Sequence, residues 1–244
     1  MPRGDAAGSQ TTKATLALRE LIFAGELAAE QRVPEIGLAE RLGVSRTPLR
    51  LAFATLAHEG LLRALPGGGF VVCSFSLTDV SDAIELRGVL EGTAARFAAE
   101  RLESESELVD LVAVTEQLDA VVGTRPPALE RFVELNDEYH CELVHLARSD
   151  AITRAIANVV ALPFASPGAL VASQAALARE QEVLVVAQHQ HRAMLEAVRA
   201  GHGARAEEIA REHARLAMLN LELVLGSERA LERLPGAPLM RRAV

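Results

Sequence analysis

The stretch LAERLGVSRTPLRLAFATLAHEGLL, residues 38–62, contains two short helical patterns of apolar residues that are separated by Gly43. A glycine suits the left-handed backbone with which a helix often ends, and Ser45 suits the cap position before the next helix. Pro48 then falls in the first turn of that helix, where its missing N–H costs little. The stretch therefore predicts a helix over 35–41 and a second helix that starts directly after Ser45.

The residues on either side complete a small domain. A preceding helix is predicted over 12–23, and after Gly60 the sequence LLRALPGGGFVVCSF predicts two brief strands around a glycine turn. Three helices followed by a β-hairpin form a winged helix-turn-helix, which we assign to residues 11–75. Residues 1–10 lack apolar periodicity and predict a disordered arm.

The rest of the chain has helical periodicity and predicts a six-helix bundle. We assign residues 76–226 to this helical domain and residues 227–244 to a C-terminal tail. The predicted fold class is therefore mainly α, with a winged helix-turn-helix followed by an all-α domain. The predicted helices of the bundle span residues 78–100, 104–122, 127–148, 150–162, 171–200 and 204–224.

Composition indicates a cytoplasmic protein that does not enter a membrane. Half of the residues are hydrophobic, but no uncharged apolar run reaches the length of about 18 residues that a membrane span needs. The N-terminus lacks the apolar region of a secretory signal peptide. Cys73 and Cys141 lie far apart and match no metal or redox spacing, so we expect reduced thiols.

The distribution of charge leaves room for a nucleic-acid partner. The net charge is −8, yet residues 1–75 hold eight basic and seven acidic residues, and the excess of acid lies in the later part of the chain. Salt limits the reach of distant exposed charge to about 10 Å at 0.1 M ionic strength. The winged domain can therefore grip phosphates despite the acidic remainder.

Two arginines begin the second helix of the motif. Arg46 and Arg50 are four residues apart and share one face of a helix. Each guanidinium can bind a guanine O6/N7 pair or clamp a phosphate, while Ser45 and Thr47 can donate hydrogen bonds to the DNA backbone. The alternative is an amphipathic helix whose arginines are only solvated.

The motifs LAERLGVSRTPLR and LAHEGLL, within residues 16–72, closely resemble the DNA-binding domain of the GntR family of bacterial transcription regulators. The resemblance implies that the two arginines contact operator DNA with the help of the serine and threonine. It also implies that the wing tip near Gly68 and Gly69 enters the minor groove. The chain departs from the family at Ile36–Gly37 and at the all-glycine wing tip, where many relatives carry basic residues.

Four residues of the helical domain are predicted to converge. Asn136 and His140 lie one helical turn apart on one face. His191 and His213 each lie ten residues from the turn sequence GHG, or about 15 Å along two antiparallel helices. If the helix of His140 packs against this hairpin, three imidazoles and an amide oxygen suit zinc or nickel. The other histidines of this domain are predicted to face elsewhere: His145, His189 and His202.

The sequences DAIELRGVLEGTAARFAAERL and LNDEYHCELVHLARSDAI, with the region around GHG, resemble the FCD effector domain of FadR-type GntR regulators over residues 78–224. The resemblance implies a bound divalent metal and small organic acids as effectors. Relatives mostly have Asp at the position of Asn136, so the neutral amide leaves the site one charge more positive. The ligands that the resemblance implies are Asn136, His140, His191 and His213.

Arg87 matches an arginine of this family that commonly points into the effector pocket. The alternative is a surface ion pair with Glu85 or Glu91. The sequences IELRGVLEGTAARFAAERL and PFASPGAL particularly resemble the branch that contains vanillate-responsive repressors, and this favours an aromatic acid as the effector.

The predicted protein is a homodimeric repressor that binds operator DNA and is released by an organic acid. A metal-sensing regulator, in which the ion itself is the signal, is the first alternative. A metal-dependent enzyme is the second alternative, because a metal with an open position can activate water. The sequence offers no convincing general base for such a metal, because Asp137 and Glu138 are candidates only by proximity, so we expect no enzyme activity.

Overall fold

The computed structural model describes residues 4–162, 164–171 and 180–241, and it is mainly helical. Across these residues, no helix combines the length and the apolar character that crossing a membrane requires. The elements in chain order are α1 (Gly4–Phe23), α2 (Glu35–Leu42), α3 (Arg46–His58), β1 (Leu62–Ala64), β2 (Phe70–Val72), α4 (Leu77–Arg101), a 3-10 helix (Glu105–Leu108), α5 (Val109–Val122), α6 (Leu129–Leu146), α7 (Asp150–Val160), α8 (Glu180–Arg199), α9 (Gly203–Leu225), α10 (Glu228–Leu231) and a second 3-10 helix (Ala237–Leu239).

The chain divides into two compact units. The first unit comprises Met1–Asp79, Ala161–Pro163 and Pro235–Val244, and the second comprises Val80–Val160 and Phe164–Leu234. The predicted architecture is confirmed, because a winged helix-turn-helix precedes an all-α domain.

The core of the first unit forms where α1 packs against α3. Leu18 and Ile22 of α1 and Leu49 of α3 are fully buried, as the periodicity of both helices requires. Phe53 of α3 continues this core towards the wing, where its ring lies 5.4 Å from that of Phe70. Burial of these apolar side chains fixes α3 relative to the hairpin.

The first helix is longer than the sequence predicts. It begins at Gly4 rather than near Thr12, so the predicted disordered arm is wrong for residues 4–10. Residues 1–3 lie outside the described residues. Extending an existing helix adds one hydrogen bond per residue without a new nucleation cost, and the alanines of this segment favour the extension.

The wing sheet is bordered by the connector that precedes α2. β1 and β2 are antiparallel, with Arg63 opposite Val71. On the other edge of β2, the backbone N–H of Val33 donates to the Phe70 carbonyl at 2.9 Å, and Arg32 also pairs with Val71. The connector is thereby held in an extended conformation along the wing.

The C-terminal residues do not form the predicted tail. After α10, Leu239 is fully buried in the core of the first unit. The Phe75 N–H donates to the Leu239 carbonyl at 2.8 Å, and the Arg241 N–H donates to the Phe75 carbonyl at 2.8 Å. An apolar side chain and a short backbone ladder therefore tie this segment to the winged domain, which helical periodicity alone does not reveal.

The second unit is built from the six predicted helices, α4 to α9, and residues 172–179 of the predicted fifth helix lie outside the described residues. Glycines let α4 and α9 approach closely. A Cβ at Gly88 would lie 2.8 Å from the Ala214 Cβ, and one at Gly92 would lie 3.0 Å from the Glu207 carbonyl oxygen. This close packing brings one face of α4 near the helix that carries His213.

Candidate functional site

Helix α3 presents the predicted DNA-reading residues on its exposed side. Gly43 ends α2 in the left-handed conformation (φ 63°, ψ 34°), and Ser45 occupies the extended position directly before α3. Among the described residues, no backbone N–H donates to the Ser45 hydroxyl as a cap. The buried face of the helix consists of Leu49, Ala52, Phe53 and Leu56. The exposed side carries Ser45, Arg46, Thr47 and Arg50.

The two arginines are free to meet a polyanion. Arg50 is 72% exposed, and its Nε lies 4.0 Å from a carboxylate oxygen of Glu35. Such an exposed ion pair contributes little, so the guanidinium can exchange it for a phosphate or a base. Arg46 has no carboxylate within 4 Å among the described residues, and it lies at the helix start, where backbone N–H groups also favour anions.

The wing tip is an exposed glycine turn. Gly68 and Gly69 have φ values of 83° and 85°, which a residue with a Cβ rarely adopts. The Leu65 N–H donates to the Gly69 carbonyl at 3.0 Å and closes the turn. The predicted wing residues therefore lie at a narrow, protruding end of the hairpin.

Three imidazoles meet inside the second unit. His140 of α6, His191 of α8 and His213 of α9 are all buried, and one ring nitrogen of each lies within 4.8 Å of the others. The Nε2 atoms of His191 and His213 are 3.1 Å apart. The structure thus brings together His191 and His213, which the helix offsets place at one height, and packs the helix of His140 against them.

Oxygen acceptors orient these rings. The Gln188 side-chain amide donates from Nε2 to the Thr115 carbonyl and to Asp119, so its Oε1 must accept from Nδ1 of His191, 3.1 Å away. His191 therefore keeps its proton on Nδ1 and turns the lone pair of Nε2 towards His213. Two facing lone pairs would repel, so either a proton on His213 or a cation must lie between them.

The other two rings have similar partners. Nδ1 of His213 lies 3.1 Å from Oε1 of Gln190, and Nδ1 of His140 lies 3.3 Å from a carboxylate oxygen of Glu91. Both ring nitrogens of His140 are buried, and neither has a hydrogen-bond partner among the described residues. In each of the three rings an oxygen atom lies beside Nδ1, so Nε2 is the nitrogen that remains to bind a metal. This is the usual arrangement around histidine-bound metals.

The local environment keeps His191 and His213 neutral. Burial, followed by the nearby His213 and His140, lowers the pKa of His191 well below its ordinary value. Burial and the neighbouring His140 lower the pKa of His213 to about 3. Neutral imidazole is the form that binds a metal, so no proton must be removed from a cationic ring at neutral pH.

Asn136 and Asp137 precede His140 on α6. Asn136 is buried, and its Nδ2 has no hydrogen-bond partner among the described residues. Asp137 is half-buried with one unpartnered oxygen, and burial raises the pKa of its carboxyl. Both residues therefore hold polar atoms close to His140 in sequence that lack a protein partner.

Arg87 lies in the interior rather than at the surface. It is 2% exposed, its Nη1 donates to the Ala165 carbonyl at 2.9 Å, and its Nε lies 3.7 Å from Glu91. The alternative of a surface ion pair is therefore wrong, because α4 turns both charged residues inwards. Glu85 lies instead 4.0 Å from Arg215. Arg87 lines a small cavity of about 30 Å³ together with Asn136 and His213.

Sequence reasoning missed three residues that support the cluster. Glu91 bridges Arg87 and His140, and these two neighbours overcome the effect of burial and lower the pKa of Glu91 to about 2. Gln188 fixes the orientation of His191, and the hydroxyl of Tyr139 donates to the His191 carbonyl at 2.8 Å. Only the four-residue spacing of Arg87 and Glu91 signals such a pair in the sequence.

A larger cavity opens beside His140. It encloses about 460 Å³, within the range of pockets that hold small organic ligands. Its polar end includes Glu91, Asp137 and His140, and its apolar wall includes Val144, Ile156 and Val160. His145, predicted to face elsewhere, also lines this cavity. The cluster therefore borders a space that takes a molecule with an apolar body.

The chain matches two families of known proteins. Residues 10–72 match the bacterial regulatory proteins of the gntR family, and residues 82–216 match the FCD domain. It is 32% identical over 152 residues to an uncharacterized HTH-type transcriptional regulator of Agrobacterium vitis, covering 59% of this chain and 85% of that protein. It is 29% identical to a probable D-xylose utilization operon transcriptional repressor of Paenarthrobacter nicotinovorans, covering 86% of this chain and 90% of that protein.

Alignments with two further curated relatives are shorter and span 62% and 60% of those proteins. Among solved structures, E. coli McbR/YncC matches 87% of this chain and 97% of its own with a TM-score of 0.64 and 20% identity, a likeness of fold. The relatives and the matched families are transcriptional regulators rather than enzymes. The chain is therefore a member of the GntR family of bacterial transcriptional regulators, with an N-terminal gntR helix-turn-helix and a C-terminal FCD domain.

Proposed function

We propose that this regulator is a homodimeric repressor of a catabolic operon, acts in the cytoplasm and releases its operator when a small organic acid binds. One observation carries the proposal: a buried cluster of three imidazoles borders a ligand-sized cavity in the FCD domain through His140. The repressor named for D-xylose utilization aligns over 86% of this chain, which supports a catabolic role.

The operator contacts in this proposal come from α3 and the wing tip. In a helix-turn-helix, the N-terminal residues of the second helix meet the base edges in the major groove. Ser45, Arg46, Thr47 and Arg50 hold that position and are exposed. Gly68 and Gly69 hold the tip that would meet the minor groove. A homodimer would place two such helices on half-sites about one DNA turn apart.

Replacing either Arg46 or Arg50 with alanine is expected to weaken specific operator binding by about 1–3 kcal/mol, because each change removes a base or phosphate contact. Gel shifts on the DNA upstream of the regulator's own gene measure the effect. Arg131→Ala is the matched control, since Arg131 is a half-exposed arginine of the FCD domain. Full operator affinity in both variants would contradict the assignment of α3 as the reading helix.

The metal ligands in this proposal are His140, His191, His213 and the amide oxygen of Asn136. Three imidazole nitrogens suit zinc or nickel, which prefer such donors. The unpartnered Nε2 of His140 and the facing Nε2 atoms of the other two rings support the assignment. When bound, the ion would supply a positive charge with an open position for a ligand oxygen.

An organic acid fits the charges of the pocket. Arg87 and Glu91 form a buried ion pair and Asn136 adds no charge, so a divalent ion held by the cluster would keep a positive charge. A carboxylate would compensate that charge, and the apolar wall of the 460 Å³ cavity would cover an aromatic ring. An aromatic acid such as vanillate is therefore the favoured effector, with Arg87 as an effector-binding residue.

A thermal-shift screen of metal-loaded protein is expected to show stabilisation by vanillate or a related aromatic acid, and loss of that stabilisation after chelation. Saturation at about 100 times Kd contributes about 2.7 kcal/mol. The methyl ester of the same acid is the control, because it keeps the ring and removes the charge. Equal stabilisation by acid and ester would contradict a carboxylate that binds at the metal.

Gel shifts with the metal-loaded protein test the metal-sensing alternative. The buried three-histidine set favours this alternative. If the ion itself is the signal, chelation alone changes operator affinity in a gel shift without any acid. If an acid is the signal, operator affinity changes only when the acid is added. By linkage, operator binding must then weaken the affinity for the acid by the same factor.

A further inference from the structure

The backbone of Arg32 is fixed against the wing. Arg32 lies in the connector before α2 and pairs with Val71 along the free edge of β2. On either side of it, the Glu30 N–H donates to the Val72 carbonyl and the Val33 N–H donates to the Phe70 carbonyl, both at 2.9 Å. The backbone from which the Arg32 side chain extends is therefore held in place along the edge of β2.

The guanidinium of Arg32 reaches the glycine tip. Its Nη2 donates to the Gly68 carbonyl at 2.8 Å. A Cβ at Gly69 would lie 3.2 Å from Nη2 and 3.3 Å from Nε, whereas Gly67 and Gly68 face open space. The absence of a side chain at Gly69 thus leaves room for the Arg32 guanidinium, which extends from the connector before α2.

This cation is exposed and has no acidic partner. Arg32 is exposed, and no carboxylate lies within 4 Å of it among the residues that the structure describes. Arg63, the arginine on strand β1 of the same wing, differs because its Nη2 lies 3.7 Å from Glu30. The wing therefore holds one arginine near a carboxylate and one anchored only by a backbone carbonyl at its tip.

We propose that Arg32 is the DNA contact of the wing and that it enters the minor groove beside each half-site. An all-glycine tip carries no charge of its own, and Arg32 supplies the charge from the neighbouring connector. A narrow, A·T-rich minor groove has a strongly negative potential that attracts arginine. The short glycine turn allows the guanidinium to approach the groove floor without steric obstruction.

The experiment uses the full-length protein and a duplex that the wild type selects from a random DNA library. Arg32→Gln removes the charge and the reach of the guanidinium but keeps a polar side chain, and Arg63→Gln is the matched control on the same wing. Arg32→Gln is expected to weaken binding about tenfold and to reduce the salt slope by about 1. Arg63→Gln is expected to change affinity less than about threefold.

Base analogues in the flank of the selected duplex then identify the groove. An inosine·cytosine pair presents the minor-groove pattern of A·T, whereas G·C adds the guanine N2 amino group. The wild type is expected to accept inosine·cytosine and to discriminate against G·C, and Arg32→Gln is expected to lose this discrimination. Unchanged affinity, an unchanged salt slope or unchanged discrimination in folded Arg32→Gln would each overturn the proposal.

Discussion

Replacing His191 and His213 together with alanine is expected to abolish the thermal stabilisation that zinc or nickel gives the wild-type protein. The two Nε2 atoms lie 3.1 Å apart in a fully enclosed position, so the double change removes two of the four proposed ligands. Loss of a supporting residue alone typically costs 10–100-fold in metal affinity, and loss of two ligands is expected to exceed that. Thermal melts with stoichiometric metal and metal titration by competition with a chelating dye measure the effect.

The double alanine change also opens a space in the core, so a second variant separates metal loss from packing. His191→Gln with His213→Gln keeps more of the buried volume and is expected to fold while binding no metal. His189→Ala with His202→Ala is the control, because both of these histidines are exposed. Metal-dependent stabilisation that persists in the glutamine variant would refute the proposed ligand set.

The elements that sequence predicts well are those with local chemical signals. Gly43 and Ser45 mark the turn of the helix-turn-helix by backbone preference alone, and both occupy the predicted positions. The equal offsets of His191 and His213 from GHG predict that the two side chains lie close together. The reason is that α8 and α9 are joined by a short turn, so residues equally far from it lie at the same height. The sequence places His140 beside these two residues only if α6 packs against α8 and α9. The structure shows the three histidines together.

The features that sequence misses depend on contacts between distant segments. The burial of Glu91 beside Arg87 is one such feature, because the periodicity of α4 does not show that both charged side chains are only 2% exposed. Gln188 is an unremarkable polar residue until Thr115 and Asp119 fix its amide. Their roles follow from burial and from hydrogen-bond geometry, which a single helix pattern does not contain.

Replacing Leu239 with alanine is expected to destabilise the winged domain by about 2–5 kcal/mol, although Leu239 lies almost two hundred residues after the motif that it supports. Leu239 is fully buried in the same core as Leu18 and Leu49. Its removal leaves a cavity that the surrounding helices cannot fill. Deleting the residues from 235 onward is expected to cost at least as much, because the ladder to Phe75 is also lost.

Hydrogen exchange followed by mass spectrometry measures whether the loss of stability is confined to the winged domain. Amides in residues 38–62 are expected to exchange at least about 30-fold faster in Leu239→Ala, whereas amides in α5 and α6 keep their protection. Leu219→Ala is the control, since Leu219 is 45% exposed and its loss is expected to change stability by less than about 0.5 kcal/mol. Unchanged protection of residues 38–62 in both Leu239→Ala and the deletion would show that the C-terminal segment contacts the winged domain without stabilising it. A selective loss of protection would instead indicate that residues 235–241 hold the proposed reading helix α3 in place, and operator affinity is then expected to fall in both variants.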